Sequence, residues 1–170
     1  MNVRTAMPGS FSKRASTWVD RAWSAATSYM SDKVFIDTNV LLYAHDMDAP
    51  AKRQIANRRL DELWRKRNGA LSVQVLQEFY VNVTRKIRTP LPKTSARKVV
   101  DTYAIWAVEI SPGDIASAFR IEDEAGIGFW DALILAAAVK SGAERILSED
   151  LNAGQSISGV TIENPFARAQ

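Results

Sequence analysis

The chain has 170 residues, enough for one domain with a hydrophobic core and too few for two ordinary domains. Its 46% apolar and 24% charged residues are typical of a globular protein. The absence of cysteine excludes disulfides and thiolate metal sites and suits a reducing compartment. The longest apolar run, residues 132–139, is far shorter than the roughly 20 residues that cross a bilayer. We therefore expect a cytoplasmic protein without a membrane span.

The net charge of +3 is distributed unevenly along the chain. Residues 52–98 carry 13 basic and 3 acidic side chains, whereas residues 101–163 carry 11 acidic and 3 basic ones. Such a division would suit a polyanion on the basic half and cations in an acidic pocket. Solvated helix faces that happen to segregate by sign are the alternative interpretation.

Residues 1–30 differ in composition from the rest and are interpreted as an N-terminal extension. They are rich in Ser, Thr and Ala and lack the apolar stretch of a signal peptide. We expect this extension to be poorly ordered or to form a short helix around Trp18 and Trp23. Because Met30 directly precedes the first clear strand, it is predicted as the natural start, with residues 31–170 as the folded domain.

From residue 33 onward, short apolar runs alternate with helical patterns. Strands are predicted at 34–36, 70–71, 108–110, 145–147 and 160–162. Helices are predicted at 40–45, 48–67, 73–87, 94–103, 111–126 and 129–141. Strands separated by helices predict an α/β fold with a mainly parallel sheet, in which sites form beyond the carboxyl ends of the strands.

Four carboxylates occur at the ends of predicted buried elements: Asp37, Glu78, Asp131 and Asp150. A carboxylate beside apolar residues loses hydration, which disfavours its charged form unless something compensates. A hard divalent cation, Mg²⁺ or Mn²⁺, would compensate, because it prefers oxygen ligands. The alternatives are an N-cap role for Asp37, a helix-dipole role for Asp131, and simple solvation of the other two.

The order of these residues resembles the PIN-domain nucleases, most closely the VapC toxins of type II toxin–antitoxin systems. The resemblance spans about residues 33–167 and rests on four motifs in order: a strand followed by Asp37-Thr38-Asn39, Glu78 on a helix, Asp131 opening a helix, and Ser148-Glu149-Asp150 after a strand. It implies a PIN-like three-layer α/β/α fold with a short, mainly parallel sheet flanked by helices. It also implies a metal-dependent endoribonuclease, a cognate antitoxin that occludes the site, and a homodimer.

Phosphodiester hydrolysis needs an activated water and stabilisation of charge on the phosphate, and bound Mg²⁺ supplies both. Asp37 is the best candidate for a direct ligand, Asp131 and Asp150 would complete the metal shell, and Glu78 would hold a water at the metal. The side chains able to orient these carboxylates or a phosphate are Thr38, Asn39 and Ser148. Glu149 is a competing candidate for the fourth acid, although the register of the motif favours Asp150.

Two other functions remain open from the sequence: a catalytically weak PIN-like module that binds RNA or a protein, and a small-phosphoester hydrolase. His45 is the only histidine, so a serine–histidine triad is hard to build, and the residue is expected to end a helix. Trp64, Trp106 and Trp130 are interpreted as core or partner-contact residues rather than base-stacking platforms.

Overall fold

The computed structural model describes residues 32–167. The predictions for the extension at residues 1–30 and for a start at Met30 lie outside the described residues. Within the described range the helices are α1 Thr38–His45, α2 Pro50–Lys66, α3 Val73–Arg85, α4 Lys93–Tyr103, α5 Pro112–Ala125 and α6 Phe129–Ser141, with a 3₁₀ helix at Ala104–Trp106. The strands are β1 Val34–Ile36, β2 Gly69–Ser72, β3 Ala107–Val108, β4 Arg145–Leu147, β5 Ser156–Ile157 and β6 Val160–Glu163.

The strands form one sheet in the order β3-β2-β1-β4-β6-β5. All neighbouring pairs are parallel except β5 and β6, which form an antiparallel pair. Strand β1 lies between β2 and β4, with Phe35 opposite Ala70 on one side and Ile146 on the other. The predicted mainly parallel sheet is therefore confirmed, and the carboxyl ends of β1, β2 and β4 share one edge.

Helices cover both faces of the sheet, which confirms the predicted three-layer α/β/α fold. Helices α1 to α4 pack against one another, and α5 packs against α6, which also lies against β2, β3, β4 and β6. The whole of β1 is buried, and α6 is buried along almost its entire length from Ala132 to Ala138. This explains why α6 is the most apolar helix in the sequence, since a stretch that is buried on all sides, as residues 132–138 are, needs no polar stripe.

The helix starts follow local capping chemistry. Ser72 accepts a hydrogen bond from the backbone N–H of Val75 and so caps α3. Ser111 and Asp114 form a reciprocal capping box at the start of α5, with Pro112 in the first turn. These signals are local in sequence, which is why the predicted helix starts agree with the structure to within about two residues.

Two strands differ from the prediction. Strand β5 was missed because it has only two residues and pairs through a tight turn in which Ser158 and Gly159 both have positive φ. Strand β3 lies at 107–108 rather than 108–110, because the preceding 3₁₀ helix places Trp106 against β2. An added Cβ at Gly69 would lie 2.9 Å from the Trp106 indole, so this approach requires glycine.

The three tryptophans expected to be core or partner-contact residues have different environments. Trp64 and Trp106 pack with ring centroids 4.2 Å apart beside the core, as expected. Trp130 is 64% exposed and is therefore not a core residue. No helix in the described range combines the length and apolarity needed to span a bilayer.

Candidate active site

Asp37 lies at the junction of β1 and α1 and is almost completely buried, with 5% of its surface exposed. Its Oδ1 accepts a hydrogen bond from the Thr38 N–H (2.6 Å), so the expected alternative role as the N-cap of α1 is present. Its Oδ2 accepts from the Ser148 hydroxyl (2.6 Å) and from Asn39 Nδ2 (2.9 Å). Capping thus uses one carboxylate oxygen, while the other is held by side chains that the local helix does not require.

The adjacency of β1 and β4 brings Asp37 and Ser148 together. The Asp37 N–H donates to the Leu147 carbonyl at 3.0 Å, which continues the pairing of the two strands beyond their last residues. Two neighbouring parallel strands end side by side, so side chains that follow them meet at the same sheet edge. The predicted proximity of the segments after these two strands is confirmed by these bonds.

Asn39 connects Asp37 to Asp150. Its Nδ2 donates to Asp37 Oδ2 and also to Asp150 Oδ2 at 3.1 Å, while its Oδ1 accepts from the Glu149 N–H at 3.3 Å. One amide side chain in the first turn of α1 therefore holds the loop that follows β4. This places the Asp150 carboxylate at the site.

Thr38 connects the first helix to Glu78. The Thr38 hydroxyl donates to Glu78 Oε2 at 2.6 Å. On the other side, Gln74 Nε2 donates to Glu78 Oε1 at 2.8 Å and to the Trp130 carbonyl at 3.3 Å. Glu78 therefore faces α1 and the start of α6 rather than bulk solvent.

Asp131 lies in the first turn of α6, as the sequence predicted. In the described residues it forms no side-chain hydrogen bond, in contrast to the other three acids. Burial raises the pKa of Asp131, and the charges of Asp150 and Glu78 raise it further. The charges of Asp150 and Glu78 thus act on both Asp37 and Asp131.

The buried position of Asp37 raises its pKa from 3.8 to about 6. Desolvation is the largest cause; the bonds from Ser148 and Thr38 oppose it, and the charges of Asp150 and Glu78 add to it. Hydrogen bonds alone therefore leave the charged form of this carboxylate under-compensated. A bound cation would stabilise the charged form of Asp37 and so lower its pKa.

Glu149 occupies a different environment from Asp150. Its carboxylate forms an ion pair with Lys52 of α2, whose ammonium also donates to the Tyr43 hydroxyl at 3.1 Å. The Lys52 ammonium lies 4.4 Å from the centre of the Tyr43 ring, and that ring packs edge-on against Phe166. With Glu149 held in this way, the geometry favours Asp150 as the fourth acid.

Comparison with known proteins identifies the family to which the chain belongs. The family profile of the PIN domain matches residues 34–155. The chain belongs to the PIN domain family. The segment of the match begins with β1 and includes all four acids.

Individual relatives agree with this assignment. Ribonuclease VapC23 from two strains of Mycobacterium tuberculosis, CDC 1551 and H37Rv, is 31% identical over 121 residues, which cover 69% of this chain and 92% of the relative. Two solved structures share the fold. VapBC2 from Rickettsia felis, bound to a promoter DNA fragment, has a TM-score of 0.53 and 20% identity over 77% of this chain and 97% of that one. A toxin–antitoxin complex from Klebsiella pneumoniae has a TM-score of 0.56 and 23% identity over 78% and 98%.

The donor set of this PIN domain fits a divalent cation in its chemistry. Four carboxylates supply only oxygen ligands, and two of them have pKa values raised by burial and by their acidic neighbours. Across residues 32–167, however, no three acidic or histidine side chains already converge into a coordination shell. The assignment of these acids as metal ligands therefore stays a prediction.

Sequence reasoning missed two residues that hold the site. Gln74 is buried and lies one helical turn before Glu78, a spacing that could have identified it as a hydrogen-bonding neighbour. Lys52 carried no such signal, because its partner Glu149 is 97 residues away. His45 ends α1 as expected and packs 5.5 Å from the Phe79 ring.

The raised pKa of Asp37 predicts a specific pH dependence of stability. The folded state binds the Asp37 proton more tightly than the unfolded chain does, so its contribution to stability is full below pH about 4 and is lost as the pH rises through about 6. For the metal-free protein we expect a loss of up to about 3 kcal/mol from this group. Urea denaturation at several pH values in the presence of a chelator measures it.

In the Asp37→Asn variant this part of the pH dependence should disappear. Asp123→Asn, which removes an exposed acid of α5, is the matched control and should retain the wild-type pH profile. Identical profiles for wild type and Asp37→Asn would contradict the raised pKa of Asp37.

The Lys52–Glu149 pair predicts a positioning effect on metal binding. Replacing Lys52 by Met should release the loop that carries Asp150 and weaken Mn²⁺ binding by about tenfold, as is typical for residues that orient metal ligands. Lys52→Arg should retain most of the affinity. The control is Lys66→Met. Lys66 lies on the same helix as Lys52, and its exposed ion pair is with Asp32, which precedes β1. Calorimetric titration that gives equal affinities for Lys52→Met and Lys66→Met would refute this role.

Proposed function

We propose that this PIN domain is a divalent-metal-dependent endoribonuclease of the VapC type that hydrolyses phosphodiester bonds in RNA. The observation that carries the proposal is the hydrogen-bonded network joining Asp37, Glu78 and Asp150 at one sheet edge. The name of the Mycobacterium relative, a ribonuclease, supports the same activity. We further propose that it acts in the cytoplasm, where cellular RNA is available.

The four acids and their partners would divide the work. Asp37, Asp131 and Asp150 would hold Mg²⁺ or Mn²⁺, with Glu78 beside them. When bound, the cation supplies Lewis-acid chemistry, which lowers the pKa of water and neutralises charge on the phosphate. Glu78, itself oriented by Thr38 and Gln74, is placed to accept a proton from a water at the site.

Thr38, Asn39 and Ser148 would act by orientation. Each donates a hydrogen bond to a carboxylate of the set, so each fixes the direction in which the remaining lone pairs of that carboxylate point. Ser148 additionally accepts from the Asp150 and Leu151 N–H groups, at 3.2 and 3.3 Å, which holds the loop after β4. Preorganisation of this kind reduces the reorganisation needed when charge develops on the phosphate.

The decisive experiment is cleavage of single-stranded RNA by the purified protein. We expect Mg²⁺- or Mn²⁺-dependent cleavage that a chelator abolishes. Asp37→Asn, Glu78→Gln and Asp131→Asn should each reduce the rate by at least about 100-fold, because each removes a charge from the site. The control is Asp123→Asn, which removes an acid of the same type from the exposed face of α5.

The outcomes separate the competing functions. Metal-independent RNA binding without cleavage would favour a binding module. Hydrolysis of p-nitrophenyl phosphate with intact RNA would favour a small-phosphoester hydrolase. Cleavage that persists in Asp37→Asn and Asp131→Asn would show that another site, or a contaminant, performs the reaction.

We also propose a cognate antitoxin and a homodimer. The structural neighbours in Rickettsia felis and Klebsiella pneumoniae are toxin–antitoxin assemblies, which supports a protein partner for this chain. Light scattering of the purified protein should give twice the 18.9 kDa of the chain. Co-expression with the product of the adjacent gene should give a complex whose RNA cleavage is suppressed. A monomer, or a co-expressed product that leaves cleavage intact, would contradict the respective proposal.

A further inference from the structure

The last segment of the described chain is a turn, residues 164–166, that carries a fully buried aromatic side chain. Strand β6 ends at Glu163, and Phe166 lies three residues beyond it with none of its surface exposed. The Asn164 side-chain oxygen accepts a hydrogen bond from the Phe166 N–H at 2.8 Å, which closes the turn. Because Phe166 belongs to no strand or helix, its burial depends on side chains of other segments.

The turn lies at the carboxyl edge of the sheet, beside the loop after β4. Strand β6 runs parallel to β4, so the two strands end at the same edge. The Ser148 N–H donates to the Glu163 carbonyl at 3.0 Å, and the Ser148 hydroxyl donates to Asp37. A hydrogen bond thus joins the residue before the turn to a residue that contacts the acidic site.

Phe166 packs against Tyr43 of α1. The two ring centroids lie 5.1 Å apart at an interplanar angle of 72°, the edge-on arrangement that aromatic pairs prefer. The Lys52 ammonium lies 4.4 Å from the centre of the Tyr43 ring and 5.7 Å from the centre of the Phe166 ring. Both distances are within the range of cation–π attraction. The two rings together therefore define a position for this one cation.

Lys52 connects the two rings to the loop that carries Asp150. Its ammonium pairs with the Glu149 carboxylate and donates to the Tyr43 hydroxyl at 3.1 Å. A lysine side chain is flexible, so its ion pair fixes a partner firmly only when the ammonium is itself held. Here the rings and the hydroxyl hold it. Glu149 is thereby anchored through its side chain by Lys52 and through its backbone N–H by Asn39.

Asp150 needs this support because packing does not fix it. Its side chain is exposed, and across the described residues its carboxylate accepts one side-chain hydrogen bond, from Asn39 at 3.1 Å. The preceding residue, Glu149, is anchored at both its backbone and its side chain. The orientation of Asp150 therefore depends on how firmly the loop around it is held.

We propose that Phe166 is a positioning residue for the acidic site. Together with Tyr43 it holds Lys52, and Lys52 holds the loop that carries Asp150. This rests on the proposed function, in which Asp150 is a metal ligand. It assigns to the turn at residues 164–166 a role in the geometry of the site, in addition to its place in the fold.

The first test examines the loop in the metal-free protein. Phe166→Leu keeps a buried apolar side chain but removes the ring. The Asp150 and Leu151 N–H groups bond to the Ser148 hydroxyl, and their hydrogen exchange reports local opening of the loop. We expect this exchange to become about fivefold faster in Phe166→Leu.

The matched control removes a ring at the opposite edge of the sheet. Tyr103 packs against Trp64 and Trp106 beside β3, so Tyr103→Leu should lower the global stability without reaching the loop after β4. Exchange of the β1 amides reports that global loss in both variants. The loop amides should exchange faster in Phe166→Leu alone.

The second test asks whether Phe166 acts through Lys52. In calorimetric titrations with Mn²⁺ we expect Phe166→Leu to weaken binding by about fivefold and Lys52→Met by about tenfold. The double variant should lose about tenfold rather than about fiftyfold, because without Lys52 the ring has nothing left to position.

Tyr43 provides a second pair of variants in case Phe166→Leu does not fold, since Tyr43 is only half-buried. Tyr43→Phe retains the ring and should bind Mn²⁺ within about twofold of wild type. Tyr43→Leu removes the ring and should lose affinity to the same extent as Phe166→Leu, about fivefold.

A purely structural role for the turn predicts different results. Multiplied losses in the double variant, or equal loop exchange in Phe166→Leu and Tyr103→Leu, would overturn the proposal. Wild-type Mn²⁺ affinity in both Phe166→Leu and Tyr43→Leu would overturn it as well. Failure of the proposed function is recognised separately, because wild type would then neither bind Mn²⁺ nor cleave RNA, whereas the exchange measurement needs no metal.

Discussion

The buried carboxylate of Asp37 is the constraint around which this fold is organised. It is held at the end of a central strand where water cannot hydrate it, and three donors from two chain segments satisfy its oxygens. Its raised pKa shows that these donors do not fully replace the lost hydration. The fold thus holds the Asp37 carboxylate at one position where its negative charge is only partly stabilised. Functional sites commonly retain such strain, and the stability of the surrounding core offsets it.

The rest of the fold determines which side chains lie around the Asp37 carboxylate. Strand β1 has neighbours on both sides, so the segments that follow β4 and β2 also end at its carboxyl edge. The first turn of α1 then contributes two consecutive polar residues that diverge, with Thr38 bonded to Glu78 and Asn39 bonded to Asp150. Helix α1 therefore connects the acids of two distant chain segments.

Much of this arrangement is predictable from the sequence because its signals are local. The strand that ends at Asp37, the capping box at Ser111 and the apolar helix that begins before Asp131 each depend on a few adjacent residues. What escaped prediction depends on contacts between distant segments. Lys52 gains its role only when α2 is packed beside the loop after β4, and β5 exists only because β6 is present to pair with it.

The hydroxyl of Ser148 has only one proton, and it donates this proton in a hydrogen bond to Asp37. Two backbone N–H groups donate to its oxygen, while the proton points to Asp37. The resulting chain of hydrogen bonds has a single direction, which ends on the carboxylate. A threonine at this position would preserve that direction. An alanine would leave a buried carboxylate oxygen and two backbone donors without this partner at once. The Ser148 hydroxyl therefore links the backbone of the loop after β4, which carries Asp150, directly to the Asp37 carboxylate.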